Sequence, residues 1–103
     1  MPNKFTPVYL PLFEQDVADA WDYIAKTLQN PVAADRLLDE IEKEISDRLF
    51  NPSGFQKYNS IKDRKQPYYT IHVKNYIIFY VVIGNKMEMR RFVYSKRDLQ
   101  NLV

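Results

Sequence analysis

Two short turn signals, Lys74-Asn75 and Gly84-Asn85, divide the stretch from Tyr68 to Leu99 into three runs dense in β-branched and aromatic residues. Asn is tolerant of positive φ, and Gly-Asn is a strong two-residue hairpin signal. The pattern predicts strands over Tyr68 to Val73, Tyr76 to Ile83 and Lys86 to Tyr94, joined as an antiparallel meander. Tyr76 to Ile83 is the most apolar run and is expected at the centre of the sheet. Such a sheet needs its apolar face covered, and the residues before it supply the cover.

Phe5 to Leu10 has strand-forming residues but contains Pro7, which cannot donate to a ladder, so it reads as a short or edge strand, or as one whose pairing begins after Pro7. From Leu12 to about Leu28, Phe13, Val17, Trp21, Ile24 and Leu28 recur at helical spacing with acids between them. Asn30-Pro31 closes this helix and opens the next, with Asn as the N-cap and Pro at the first helical position. Over about Pro31 to Phe50 the stripe is Ala34, Leu37, Leu38, Ile41, Ile45 and Leu49. Its outer face offers the i,i+4 pairs Arg36–Glu40, Asp39–Lys43 and Glu44–Arg48. Phe55 to Gln66 is polar and basic and reads as a long loop or a partly formed strand, and Lys96 to Val103 as a last helical turn. The fold class expected is α+β in the order β-α-α-β-β-β, an αα-hairpin packed on one face of a small, mostly antiparallel twisted sheet.

A chain of 103 residues is expected to form a single domain, residues 1–103, with a core of its own. It has no cysteine and one histidine, so disulfides and thiolate metal sites are excluded and a zinc site has no ligand set. The N-terminus is broken by Pro7 and Pro11 and lacks the apolar core of a signal peptide. The longest apolar run is far short of the roughly 20 residues that cross a bilayer. A cytoplasmic protein with no membrane contact is expected. The net charge of +2 conceals an asymmetry. Residues 1–50 hold five Lys/Arg and ten Asp/Glu, and residues 51–103 hold ten and three. Such a two-sided molecule points to nucleic acid or an acidic partner for its basic half, with solvated surface charge as the plain alternative.

Strict alternation sorts the strand side chains by face. Ile71, Val73, Met87, Met89 and Val93 are expected under the helices. Thr70, His72, Arg90 and Tyr94 are expected on the open face beside Glu88 and Phe92, with Lys74, Lys96 and Arg97 at its rim. Arg91 then falls on the covered side, where it must reach an edge or an acid.

The element order and three motifs resemble the RelE/ParE superfamily of bacterial toxins from type II toxin–antitoxin, or plasmid stabilisation, modules. The motifs are Asn30, Pro31, Ala33, Ala34, Leu37, Leu38 and Ile41; then Tyr69, Ile71, Val73, Tyr76, Ile78 and Tyr80; then Arg91, Val93, Arg97 and Asp98. The resemblance covers nearly the whole chain. It implies a toxin that arrests growth and is neutralised by a cognate antitoxin, with no cofactor and no metal. One branch of the superfamily inhibits DNA gyrase; the other is a metal-independent mRNA endoribonuclease acting with the ribosome. RNA cleavage needs a group to activate the 2′-OH, cations for the pentavalent phosphate and an acid for the leaving oxygen.

On the endoribonuclease reading the catalytic candidates are His72, Arg90, Tyr94 and Arg97. Lys62, Arg64, Lys65, Lys74 and Lys96 are then candidates for nucleic-acid or target binding, with Tyr94 or Phe92 as a stacking ring. Relatives that cut RNA carry lysines at alternate positions of the first meander strand and an arginine after the tyrosine opening the next. Thr70, His72 and Ile77 stand in those places. Their absence favours gyrase inhibition over RNA cleavage, and an inactive relic or plain binding module is the third reading.

Overall fold

The computed structural model describes residues 4–58 and 66–96. In chain order these form β1 (Thr6–Tyr9), α1 (Pro11–Asp22), a π-helical turn (Tyr23–Thr27), α2 (Pro31–Arg48), β2 (Tyr69–Val73), β3 (Tyr76–Ile83) and β4 (Lys86–Tyr94). The strands make one sheet in the order β1-β4-β3-β2, antiparallel except that β1 runs parallel to β4. This is the expected α+β order, and β3 lies inside the sheet. The expected tail helix and the basic part of the long loop lie outside the described residues.

Pro7 sits in β1 without disturbing the ladder. Thr6 N–H donates to the Asn85 carbonyl at 2.9 Å and Leu10 N–H to that of Met89 at 3.2 Å. Even-numbered residues therefore turn their N–H toward β4, and Pro7 turns its missing one outward. At both two-residue turns the first residue takes the left-handed conformation, Lys74 at φ 53° and Gly84 at φ 60°. The positive φ of the first turn thus falls on Lys74 and not on Asn75.

α2 starts as its sequence dictates. Asn30 Oδ1 accepts from Ala33 N–H at 3.1 Å, satisfying a donor the helix itself cannot, and Pro31 follows at the first position. Trp21 Nε1 donates to Asp35 Oδ1 at 3.1 Å and ties α1 to α2. α1 does not run on to Leu28 as a regular helix. Its last turn widens, Leu28 N–H reaching back five residues to the Tyr23 carbonyl at 3.0 Å, and Gln29 ends it at φ 54°.

The helices bury Phe13, Ala20, Leu37, Ile41, Ile45 and Leu49 against Tyr69, Ile71, Val73, Ile78, Tyr80, Met87, Met89 and Phe92. Each such side chain contributes about 1.5–3 kcal/mol when fully removed from water. Ala20 is the buried member of its turn, whereas Leu28 and Leu38 of the expected stripes are exposed. The opposite sheet face is not open. Tyr68, Ile77, Phe79, Val81 and Val93 form a second buried cluster, with Tyr58 packed edge-on to Phe79 at 5.0 Å between centroids.

A β-bulge explains why the expected faces fail in β4. Tyr80 pairs with Met89 but Phe79 pairs with Arg91, so Arg90 is an extra residue with no partner on β3. Alternation restarts beyond it. Met87 and Met89 lie under the helices as expected, yet Phe92 joins them there and Val93 lies in the second cluster. Tyr94 follows Phe92 to the helix side, its ring 5.6 Å from that of its partner Tyr76, which packs against the helix-side core.

Candidate functional site

The bulge also scatters the residues that the sequence placed on one open face. His72 is exposed on β2 and pairs with Ile77, whose other neighbour is Val93, so His72 belongs to the face of the second cluster. Tyr94 is on the other face. Arg90 is held by its neighbour on the strand, Nη2 lying 2.7 Å from Glu88 Oε1, while its Nε is buried without a hydrogen-bond partner. No described hydrogen bond or ion pair joins His72, Arg90 and Tyr94. Lys74 reaches Glu40 of α2 at 3.4 Å, and Lys96 is exposed just past β4. Arg97, Lys62, Arg64 and Lys65 lie outside the described residues.

What the structure does assemble around Tyr94 is a groove of about 560 Å³ between the end of α1, the π-helical turn and the far ends of β3 and β4. The sequence builds it in three steps. The bulge brings Phe92 and Tyr94 to the helix side; the turn at Lys74-Asn75 sets Tyr76 beside them; and the widened last turn of α1 presents Tyr23, Ile24 and Leu28 opposite. Tyr76 stacks on Phe92 at 4.7 Å between centroids. Burial pushes the Tyr76 hydroxyl above the ordinary tyrosine range, with the neighbouring Tyr23 and Tyr94 hydroxyls adding to the shift. Asp16, Asp19 and Asn75 complete the polar lining, and among the described residues no cation lines it.

Two arginines fix the frame. Arg91 Nε donates to Asp16 Oδ2 at 2.7 Å and its Nη2 to Oδ1 at 3.3 Å, and the same Oδ2 accepts from Phe92 N–H at 3.0 Å. β1 ends its pairing at Met89, so Asp16 satisfies a sheet-edge donor that β1 no longer covers. Arg91 pairs with Phe79 of the second cluster and so stands on the face opposite the covered one expected for it, yet it does reach an acid, Asp16. Arg48 does not form its expected surface pair with Glu44. It donates from Nη1 to Tyr80 Oη at 2.8 Å and to the Thr70 carbonyl at 3.1 Å, and lies 3.6 Å over the Phe55 ring. Tyr80 in turn donates to the buried Pro52 carbonyl at 2.6 Å. Burial raises the Tyr80 hydroxyl above its usual range, and Arg48 partly offsets this. The other two expected helix pairs are also replaced: Lys43 pairs with Asp47 and Glu44, and Glu40 with Lys74.

A spacing of three between Met89 and Phe92, with two arginines between them, is the one signal in the sequence that marks the bulge. Among the described residues no group of three or more His, Cys, Asp and Glu is placed to hold a metal ion. No described helix is long and apolar enough to cross a membrane.

Comparison with known proteins extends these observations. The family model described as "ParE toxin of type II toxin-antitoxin system, parDE" matches residues 8–99. Among solved structures, a chain of "Chromosomal ParDE TA system from P. aeruginosa" superposes with a TM-score of 0.72 over 90% of this chain and 98% of that chain, at 10% sequence identity. At that identity the likeness is one of fold. No curated protein sequence matches the chain significantly.

Proposed function

Since the chain belongs to the ParE toxin family of type II toxin–antitoxin systems, we propose that it arrests growth by binding and inhibiting DNA gyrase. The family makes it a toxin with a cognate antitoxin. The finer reading, that the target is gyrase and that the toxin works by binding and not by cutting RNA, is supported by one observation above others. The residues that RNA cleavage would need in one place are apart: His72 faces one side of the sheet, Tyr94 the other, and Arg90 is engaged by Glu88. A general acid or base must come within hydrogen-bond reach of the proton it moves, and the phosphate must meet its cations at the same point. Neither condition is met by these three side chains. A cytoplasmic place of action follows from such a target.

The test is direct. Purified toxin added in excess to gyrase relaxing or supercoiling a plasmid is expected to stop supercoiling, and prior addition of the antitoxin encoded beside it to prevent this. Full supercoiling in the presence of excess toxin would sink the gyrase reading. Toxin added to translating ribosomes is expected to leave the mRNA intact; fragments ending in 2′,3′-cyclic phosphate would establish the endoribonuclease instead.

A further inference from the structure

We propose that the groove around Tyr94 is a guanidinium site, filled by an arginine side chain of the antitoxin, which rests on the reading of this chain as a toxin with such a partner. Three features of the groove point to that chemistry. Its walls are aromatic: Tyr23, Tyr76 and Tyr94 surround it and Phe92 lies beneath Tyr76 at 4.7 Å. The face of an aromatic ring attracts a planar cation. Its charge is uncompensated. Asp16 is neutralised by Arg91, but Asp19, one helical turn further along α1, receives among the described residues only a neutral hydrogen bond from Gln15 Nε2 at 2.8 Å. Among the described residues no Lys or Arg lines the groove to balance it. Its hydroxyls are unused as well, since those of Tyr23, Tyr76 and Tyr94 make no hydrogen bond among the described residues.

An acid and three phenol oxygens around an apolar hollow accept hydrogen bonds from a donor that also has a flat face. Arginine has both; an ammonium has only the charge. The molecule already treats its own arginines in this manner, Arg91 forked onto Asp16 and Arg48 laid 3.6 Å over Phe55. A volume of about 560 Å³ leaves room for the whole side chain and the backbone that carries it. An acidic partner segment is disfavoured here, because it would meet Asp19 and the acidic half of the chain.

The probe is N-acetyl-arginine N-methylamide, titrated into the full-length protein while tyrosine ring resonances are followed by NMR. Saturable shifts are expected on Tyr23, Tyr76 and Tyr94, with the neutral norleucine analogue giving none at the same concentration. Asp19→Asn and, separately, Tyr94→Leu are expected to weaken the arginine probe about two- to fivefold each. Both positions are exposed, and the unchanged spectrum of the core tyrosine Tyr80 reports that each variant folds. Equal shifts from the norleucine analogue, shifts centred elsewhere, or undiminished binding to both variants would overturn the proposal. A second arm mixes the toxin with its antitoxin, carrying each arginine in turn replaced by glutamine. One replacement is expected to weaken the complex on wild-type toxin but not on Tyr94→Leu; equal losses on both toxins would also overturn the proposal. Absence of any complex with the intact antitoxin would instead strike at the toxin–antitoxin reading, and the small-molecule titration would still decide the site.

Discussion

Arg48 and Arg91 both tie helix to sheet, one reaching from α2 onto β2 and β3, the other from β4 onto α1, and they use different partners. Arg91 meets a carboxylate, in a fork that is 12% exposed on the Asp16 side and 18% on its own. Arg48 meets no acid among the described residues: its partners are a carbonyl, a phenol and an aromatic face. The contrast separates two uses of one side chain. At Asp16 the charges compensate each other, and the pair also caps a backbone donor at the sheet edge. At Tyr80 the positive charge is spread over neutral dipoles, and the contact organises a relay that ends on the Pro52 carbonyl.

The largest break in this comparison is expected at the acid. Asp16→Ala leaves Arg91 half-buried without its partner and Phe92 N–H without an acceptor, at a cost of about 3 kcal/mol in urea unfolding. A second change, Arg91→Met, is expected to restore part of that loss, because it removes the stranded charge. A loss under about 1 kcal/mol for Asp16→Ala would mean that the fork behaves as an ordinary surface pair.

Tyr80→Phe is expected to cost about 2 kcal/mol, since the buried Pro52 carbonyl loses its donor and Arg48 one acceptor. The same variant carries a pH signature. Tyr80 has its hydroxyl held above the ordinary value of 10.0 in the folded state, so above that pH the unfolded chain loses a proton that the folded one keeps. Stability therefore falls as pH rises beyond about 10, and the fall ends once pH has passed the folded-state value. Tyr80→Phe is expected to make the alkaline decline of the urea midpoint shallower, with the raised Tyr9 and Tyr76 accounting for the remainder.

The smallest effect serves as the reference for both. Lys43→Ala removes a lysine that is 71% exposed from its pairs with Asp47 and Glu44, and is expected to change stability by less than about 0.5 kcal/mol in the same titration. If it matched Asp16→Ala, the distinction between anchoring and solvated arginines and lysines would collapse.

The sequence announced most of the framework because its signals are local. Gly84-Asn85 and the alternation around it bounded β3 and β4 to the residue, and Asn30-Pro31 marked both the end of one helix and the cap of the next. The site was less legible because it depends on exceptions to local periodicity. A period of two carried through Arg90 moves Phe92, Val93 and Tyr94 each to the wrong face, and the bulge carries no glycine to flag it. In the same way, Val17, Trp21, Ile24 and Leu28 fit an α-helical spacing whether or not the last turn widens. Arg48 is misread for another reason: Glu44 is four residues away, while its actual partners, Thr70 and Tyr80, lie 22 and 32 residues further along the chain.

Pro7 has a consequence for how the molecule behaves in a crowded solution. A sheet edge with a complete row of donors is a template on which identical chains can stack. β1 is four residues long and presents at its outer margin a residue that cannot donate. Another copy of this protein therefore finds little to extend from along that margin of the sheet.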